Sequence, residues 1–209
     1  MTSETHAMCG ILSTYIVSKA IGYTNTDEIL TLCIGGFIGG ILPDIDMPNS
    51  MICKLLPVVD KVWHKTREVL NCFNDGTLFR AIGRSMGHRG ITHTVFFCML
   101  PYFFLLIHPL LVGGMIIGCF SHLLADIPSK KPIRPFYPFK FPFKKKFKKQ
   151  TGNNKKKVEY KHLSIGLNLI DTGSKSEIVF YYIVLITGLY IIYKHQVDNF
   201  CSWIITFLK

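Results

Sequence analysis

GITHTVFFCMLPYFFLLIHPLLVGGMIIGCFSHLLA, residues 90–125, contains no Asp, Glu, Lys or Arg. As one straight helix rising about 1.5 Å per residue it would far exceed a hydrocarbon core of about 30 Å, so the stretch must turn back on itself. The turn falls at His108-Pro109, because proline ends a helix and biases its predecessor away from helical geometry. That apex lies almost midway between His93 and His122, and the fold-back therefore brings these two imidazoles to one level. The same reasoning applies upstream. Apolar runs from Met8 to Ala20 and from Ile29 to Leu42 flank the turn-like GYTNTD, so His6 returns to the level of Asp44 and Asp46. Two apolar hairpins thus deliver acids and imidazoles to one face.

Composition fixes the class. The 209 residues are 49% hydrophobic, with a mean hydropathy of +0.30, and the apolar residues come in long runs rather than in the stripes of a soluble helix. The reading is an all-α, membrane-embedded helical bundle built from helical hairpins, one domain over 1–209. Runs Thr94–Ile107, Leu110–Ala125 and Ile178–Tyr193 each fall a little short of the roughly 20 residues of a comfortable span, which suits short spans or half-embedded hairpins. The start, MTSETHAMCG, lacks the basic region and small-residue cleavage site of a secretory signal, so retention of the N-terminus is expected.

Charge orients the bundle. Of the 24 Lys and Arg, seven lie between Pro43 and His93 and fourteen between Ile127 and Glu177, whereas the turns around Thr24 and His108 carry none. The positive-inside bias places both basic loops in the cytoplasm, and with them the N-terminus and every candidate ligand. Seven cysteines without a CxxC pair resemble neither a disulfide framework nor a zinc ribbon. They read as small buried hydrophobes of a reduced, cytoplasm-facing protein.

Smaller signals fill in the organisation. GGFIGG pairs Gly35 with Gly39 and Gly36 with Gly40, and Gly114 with Gly118 repeats the spacing, which lets helix backbones approach closely in lipid. Residues 50–87 read as a cytoplasmic insertion with one or two short helices. The tract Lys140–Lys161 holds ten lysines with three interleaved phenylalanines. It fits a solvated loop, an attachment to anionic lipid headgroups, or, ranked last, single-stranded nucleic acid. In DTGSKSEIVF, Ser174 and Glu177 have the spacing of a capping box, and Glu177 is also a candidate ligand or general acid.

Seven residues carry the chemistry: His6, Asp44, Asp46, His88, His93, His122 and Asp126. His122 and Asp126, in SHLLAD, are four apart and share a helix face. Asp44 and Asp46, in LPDID, point to one side if the segment is extended. His88 and His93, in HRGITH, flank a glycine turn. Acids at a membrane edge are costly without partners, which makes them functional candidates. Four histidines and three carboxylates exceed the three protein ligands of one catalytic zinc, so two or three divalent transition-metal ions are expected, zinc first, with manganese or iron as alternatives. Such a charge balance welcomes an anion, and a phosphoester fits it. Arg89 offers a planar fork of donors for a phosphate oxygen, or a headgroup anchor. Asp46, Arg89 and Glu177 are the catalytic candidates.

His6, GGILPDID, GHRGITHT and SHLLADIPSKKPIRPFYPF, in this order with hydrophobic segments between them, resemble the bacterial membrane-bound metal-dependent hydrolases, the LexA-binding, inner-membrane-associated family, over roughly residues 1–180. The resemblance implies an inner-membrane location and a hydrolytic metal site at the seven residues above. More distantly, the His and His-xxx-acid pattern is similar to zinc-dependent phospholipase C and related single-strand nucleases, which implies phosphodiester cleavage, plausibly of a membrane lipid. The alternatives are a metal-ion carrier or non-catalytic scaffold, and a nuclease. A carrier would place its ligands near mid-membrane on broken helices.

Overall fold

Why the chain folds as it does is clearest at its two hairpins. In the computed structural model, which describes residues 1–73, 77–87, 89–139, 141–144, 158–161 and 163–207, the first hairpin joins α1 (Ser3–Ile21) to α2 (Thr26–Ile41). Gly22 ends α1 with φ 96°, a left-handed conformation open to glycine, and its N–H returns to the carbonyls of Ser18 and Lys19. Asn25 then starts α2 by accepting a hydrogen bond from the Asp27 N–H. GYTNTD is thus the turn expected from it.

The second hairpin turns at the expected apex but is built unequally. His108 caps α7 (Pro109–Asp126), its Nδ1 accepting from the Leu111 N–H at 3.4 Å, with Pro109 in the first helical position. The preceding arm is not the single helix expected for Thr94–Ile107. It breaks into α6 (Val95–Cys98) and a 3-10 turn, Leu100–Phe104, because Pro101 has no N–H to donate to the preceding turn and its ring clashes there. Phe103, Leu106 and Ile107 in this arm are 82%, 98% and 77% exposed, an apolar surface that belongs in lipid rather than water.

Helix α2 lies between α1 and α7, and glycine sets the spacing. A Cβ on Gly39 would lie 2.0 Å from the Met115 carbonyl oxygen of α7, and one on Gly36 would lie 2.2 Å from Thr14 Oγ1 of α1. The GGFIGG motif therefore serves both neighbours at once, which is the close backbone approach that its spacing suggests. α1 meets it with a face of small residues, Ala7, Gly10, Thr14 and Ser18, all buried.

The helix expected near Ile178–Tyr193 is longer: α8 runs Lys175–Phe207. Lys194, His195 and Asp198 do not interrupt it, since a charged side chain changes what a helix faces without removing a backbone hydrogen bond. Among the described residues, three segments are long and apolar enough to cross a membrane, Thr26–Asp46, Pro109–Asp126 and Lys175–Asp198. The all-α membrane architecture holds. The insertion carries three helices rather than one or two, α3 (Met51–Leu55), α4 (Pro57–Asn71) and α5 (Leu78–Ser85). One small non-helical piece is added: the ends of the lysine tract, β1 (Phe141–Lys144) and β2 (Val158–Lys161), pair antiparallel. The rest of that tract lies outside the described residues.

The loops 127–139 and 163–174 close the end of the bundle at which α2 and α7 terminate. Ile133 and Ile165 exchange both backbone hydrogen bonds at 2.9 Å, and the Lys130 N–H reaches the Ile170 carbonyl at 2.9 Å. Isoleucines 133 and 170 are buried there.

Candidate metal centre

Five of the seven candidate ligands meet at the ends of α1, α2 and α7. His6, Asp44 and His122 offer ligand atoms within 4.8 Å of one another, and so do His93, His122 and Asp126, the two groups sharing His122. All five residues are buried, His93 and His122 completely. His88 lies outside the described residues. Asp46 is close by but belongs to neither group.

The reason lies in the local backbone. LPDID does not run extended, as expected, but forms a 3-10 turn over Leu42–Asp46. With about three residues per turn, side chains two apart diverge instead of sharing a side. Asp44 Oδ1 faces His122 Nε2 at 3.8 Å and His93 Nε2 at 3.9 Å, while its Oδ2 accepts from Ser3 Oγ at 3.2 Å. Asp46 Oδ2 instead sits behind His93, 3.4 Å from Nδ1, where it also accepts from the Arg89 N–H at 3.0 Å and from Thr92 Oγ1 at 2.5 Å.

These partners set the tautomers of both central histidines. Thr92 gives its hydroxyl proton to Asp46, so its oxygen can only accept from His93 Nδ1 at 3.0 Å. His93 therefore carries its proton on Nδ1. His122 Nδ1 lies 2.7 Å from the Gly40 carbonyl oxygen, which accepts only, so His122 carries its proton on Nδ1 as well. As neutral imidazoles both rings present Nε2 as the acceptor nitrogen, and these two atoms face each other at 3.2 Å. Opposed lone pairs at that separation repel unless a cation lies among them. An oxygen holding the outer nitrogen of a ligating histidine is the usual device for aiming the inner one at a metal.

His6 stacks on His122 with ring centroids 3.7 Å apart and reaches Asp126 Oδ1 with Nε2 at 3.4 Å. Its buried Nδ1 has no hydrogen-bond partner, a costly state for a ring nitrogen away from water. The donor set of imidazoles and carboxylates, with an orphaned ring nitrogen and two opposed acceptor nitrogens, fits a divalent transition metal.

Arg89 is drawn into the protein rather than left as an open fork. Its φ of 58° is left-handed and lets its N–H reach Asp46 while its side chain turns to α7. There Nη2 donates to Asp126 Oδ1 at 3.0 Å, and Nη1 donates to Ser129 Oγ at 2.8 Å and to the Lys131 carbonyl. The Met1 ammonium reaches the same Asp126 oxygen at 3.3 Å. Glu177, 2% exposed, accepts from the Thr2 N–H and, at 2.6 Å, from the Gly173 N–H. It thereby anchors the start of α1, and its ligand atoms are not among the convergent groups. The reciprocal capping box is not formed: the Ser174 hydroxyl donates to the Asp171 carbonyl at 2.6 Å. A cleft of about 400 Å³ opens beside the cluster, with Asp44, Arg89 and Asp126 in its wall together with Lys54 and Lys131.

The sequence matches the family described as YdjM inner membrane protein over residues 1–197. The chain belongs to the YdjM inner membrane protein family. YvsG of Bacillus subtilis (strain 168) is 27% identical over 141 residues, 66% of this chain and 74% of its own length. The inner membrane proteins YdjM of Escherichia coli (strain K12) and of Shigella flexneri are each 29% identical over 112 residues, 50% of this chain and 47% of theirs. The chain thus spans about half the length of those two relatives. No solved structure matches. Membership agrees with the three apolar helices: this YdjM-family chain is a membrane protein.

Several contributors to the cluster escape a reading of the sequence, among them Ser3, Gly40, Thr92 and Ser129. Thr92 stands next to His93 in GITHT and Ser129 three residues after Asp126 in SHLLADIPS, so proximity to a ligand is their only signal. Gly40 acts through its backbone carbonyl, which its identity does not advertise.

Proposed function

We propose that this YdjM-family chain is a membrane-bound metal-dependent hydrolase that cleaves a phosphoester at the cytoplasmic boundary of the inner membrane. One observation carries the reading: the Nε2 atoms of His93 and His122 oppose each other at 3.2 Å, with Asp44 and Asp126 beside them, in a buried setting. His6, Asp44, His93, His122 and Asp126 would hold the metal, zinc by preference and manganese or iron as alternatives. A divalent ion so held supplies Lewis acidity, lowering the pKa of water towards about 7 and stabilising charge on phosphoryl oxygens.

The chain's own residues supply the rest. Asp46 and Thr92 hold the His93 ring from behind, and the Gly40 carbonyl does the same for His122. Arg89 and Ser129 fix the loop after α7 and hold Asp126 in place. Lys54 and Lys131, at the cleft, draw an anionic group towards the cluster. The cluster sits where α2 and α7 end, at headgroup depth, so a lipid phosphoester meets it before a soluble metabolite does. The same placement argues against an ion carrier, whose ligands belong near mid-membrane. Orientation towards the cytoplasm rests on the basic loops that flank the cluster.

The test is hydrolysis by detergent-purified protein of a panel of lipid and water-soluble phosphodiesters. Release of an alcohol or phosphomonoester should depend on added zinc or manganese and vanish in His122→Ala and Asp126→Ala. A metal-loaded, folded protein inert on the whole panel, or one whose activity survives both substitutions, would overturn the assignment.

A further inference from the structure

A second group of ligand atoms lies apart from the first. Cys53 on α3, with Asp60 and His64 on α4, present atoms within 4.8 Å of one another. Asp60 and His64 stand four apart, the spacing that also joins His122 to Asp126, so the helix aims both from one face. Asp60 Oδ1 and His64 Nε2 approach to 3.1 Å, yet neither has a hydrogen-bond partner. They are close without the alignment of a hydrogen bond, as two donors to a common centre are. The helical pair is 30% and 27% exposed and the thiol is buried, so an ion can arrive from solvent on one side and meet sulfur on the other.

We infer that Cys53, Asp60 and His64 form a second, thiolate-containing site for a zinc-like divalent cation, outside the His and Asp cluster. Sulfur, imidazole and carboxylate are the donors zinc accepts, with water completing a tetrahedron. On binding, the S–H bond gives way to a sulfur–metal bond and its proton leaves to solvent. Burial pushes the Cys53 thiol up, so it is this proton, not a free thiolate, that the ion displaces. The placement gives the site a structural role. Cys53 Sγ contacts the carbonyls of Ile45 at 3.7 Å and Met47 at 3.3 Å, which bracket Asp46 in the turn carrying Asp44. A cation here ties the insertion helix α4 to the segment that presents those two acids.

Cobalt(II) reports on this site alone, because the convergent groups of the first cluster contain no sulfur. Titrating the full-length protein in detergent with cobalt should raise a thiolate-to-cobalt charge-transfer band whose final intensity corresponds to about one cobalt-bound thiolate per chain, once the first cluster has also been filled. The band should disappear in Cys53→Ser, and half-saturation should move to about tenfold higher cobalt or more in His64→Gln, which leaves the buried cysteine and its packing intact. Binding with no such band, or a band unchanged in Cys53→Ser, overturns the proposal. Either result leaves the hydrolase assignment untouched, since phosphodiester cleavage is read separately.

Discussion

Asp46 illustrates how a single carboxylate can matter by holding the ring of a neighbouring histidine. Its Oδ2 takes hydrogen bonds from the Arg89 N–H and Thr92 Oγ1 and faces His93 Nδ1, so Asp46→Asn should preserve the bundle while releasing the His93 ring. A loss of about 10–100-fold in metal affinity is expected, read by competition with a chelator; unchanged affinity would show that the ring is held by other means. Arg89→Lys is predicted to be non-conservative. A lysine reaches Asp126 or the Ser129 and Lys131 oxygens but not both sets, so activity should fall even though the charge is kept. Most of the converging side chains are legible in the sequence at this scale, because an ionisable side chain set among apolar residues at a membrane edge is too costly to keep without a partner. Which of Asp44 and Asp46 faces inward is not legible, since that depends on whether LPDID runs extended or coils as a 3-10 turn, and a proline near its start allows either.

Between elements, packing is decided by where glycine stands. Gly39→Ala would drive a methyl to 2.0 Å from the Met115 carbonyl, whereas the same change at Gly113 meets only Leu32 Cδ2 at 3.8 Å. The first should destabilise the protein by about 1–3 kcal/mol and the second should be neutral or slightly stabilising, because alanine is the better helix former. Thermal unfolding in detergent distinguishes them, and equal melting of the two variants would refute the interface assigned to GGFIGG. The hairpin turns are legible because Gly22, Asn25 and Pro109 each impose a local backbone state that neighbours cannot override. Pro101 imposes one too, but the unbroken run of apolar side chains over Thr94–Ile107 masks its effect. Hydrophobicity marks what faces lipid; it does not guarantee a continuous helix. Glu177 departs from its expected reciprocal cap for a related reason: local spacing suggests a local partner, while the folded chain brings the Thr2 N–H to it from 175 residues away.

For the whole molecule, the two hairpins, α8 and the family match agree on a membrane protein, and the distribution of basic residues adds a direction. Cys72, exposed between α4 and α5, tests that direction. In a variant keeping only this cysteine, a membrane-impermeant maleimide should label inside-out vesicles and spare right-side-out ones; the reverse pattern would place the cluster on the other face. The fold brings five polar ligands from three helix ends and an intervening turn into one buried volume, an arrangement that costs stability unless a cation offsets it. The most direct check is the metal content of detergent-purified protein in a Cys53→Ser background, where the sulfur site is removed. At least one equivalent of zinc, manganese or iron should remain with the chain after dialysis and be lost in His122→Ala. A folded, monodisperse protein that retains no transition metal, even after incubation with zinc, would contradict the centre itself.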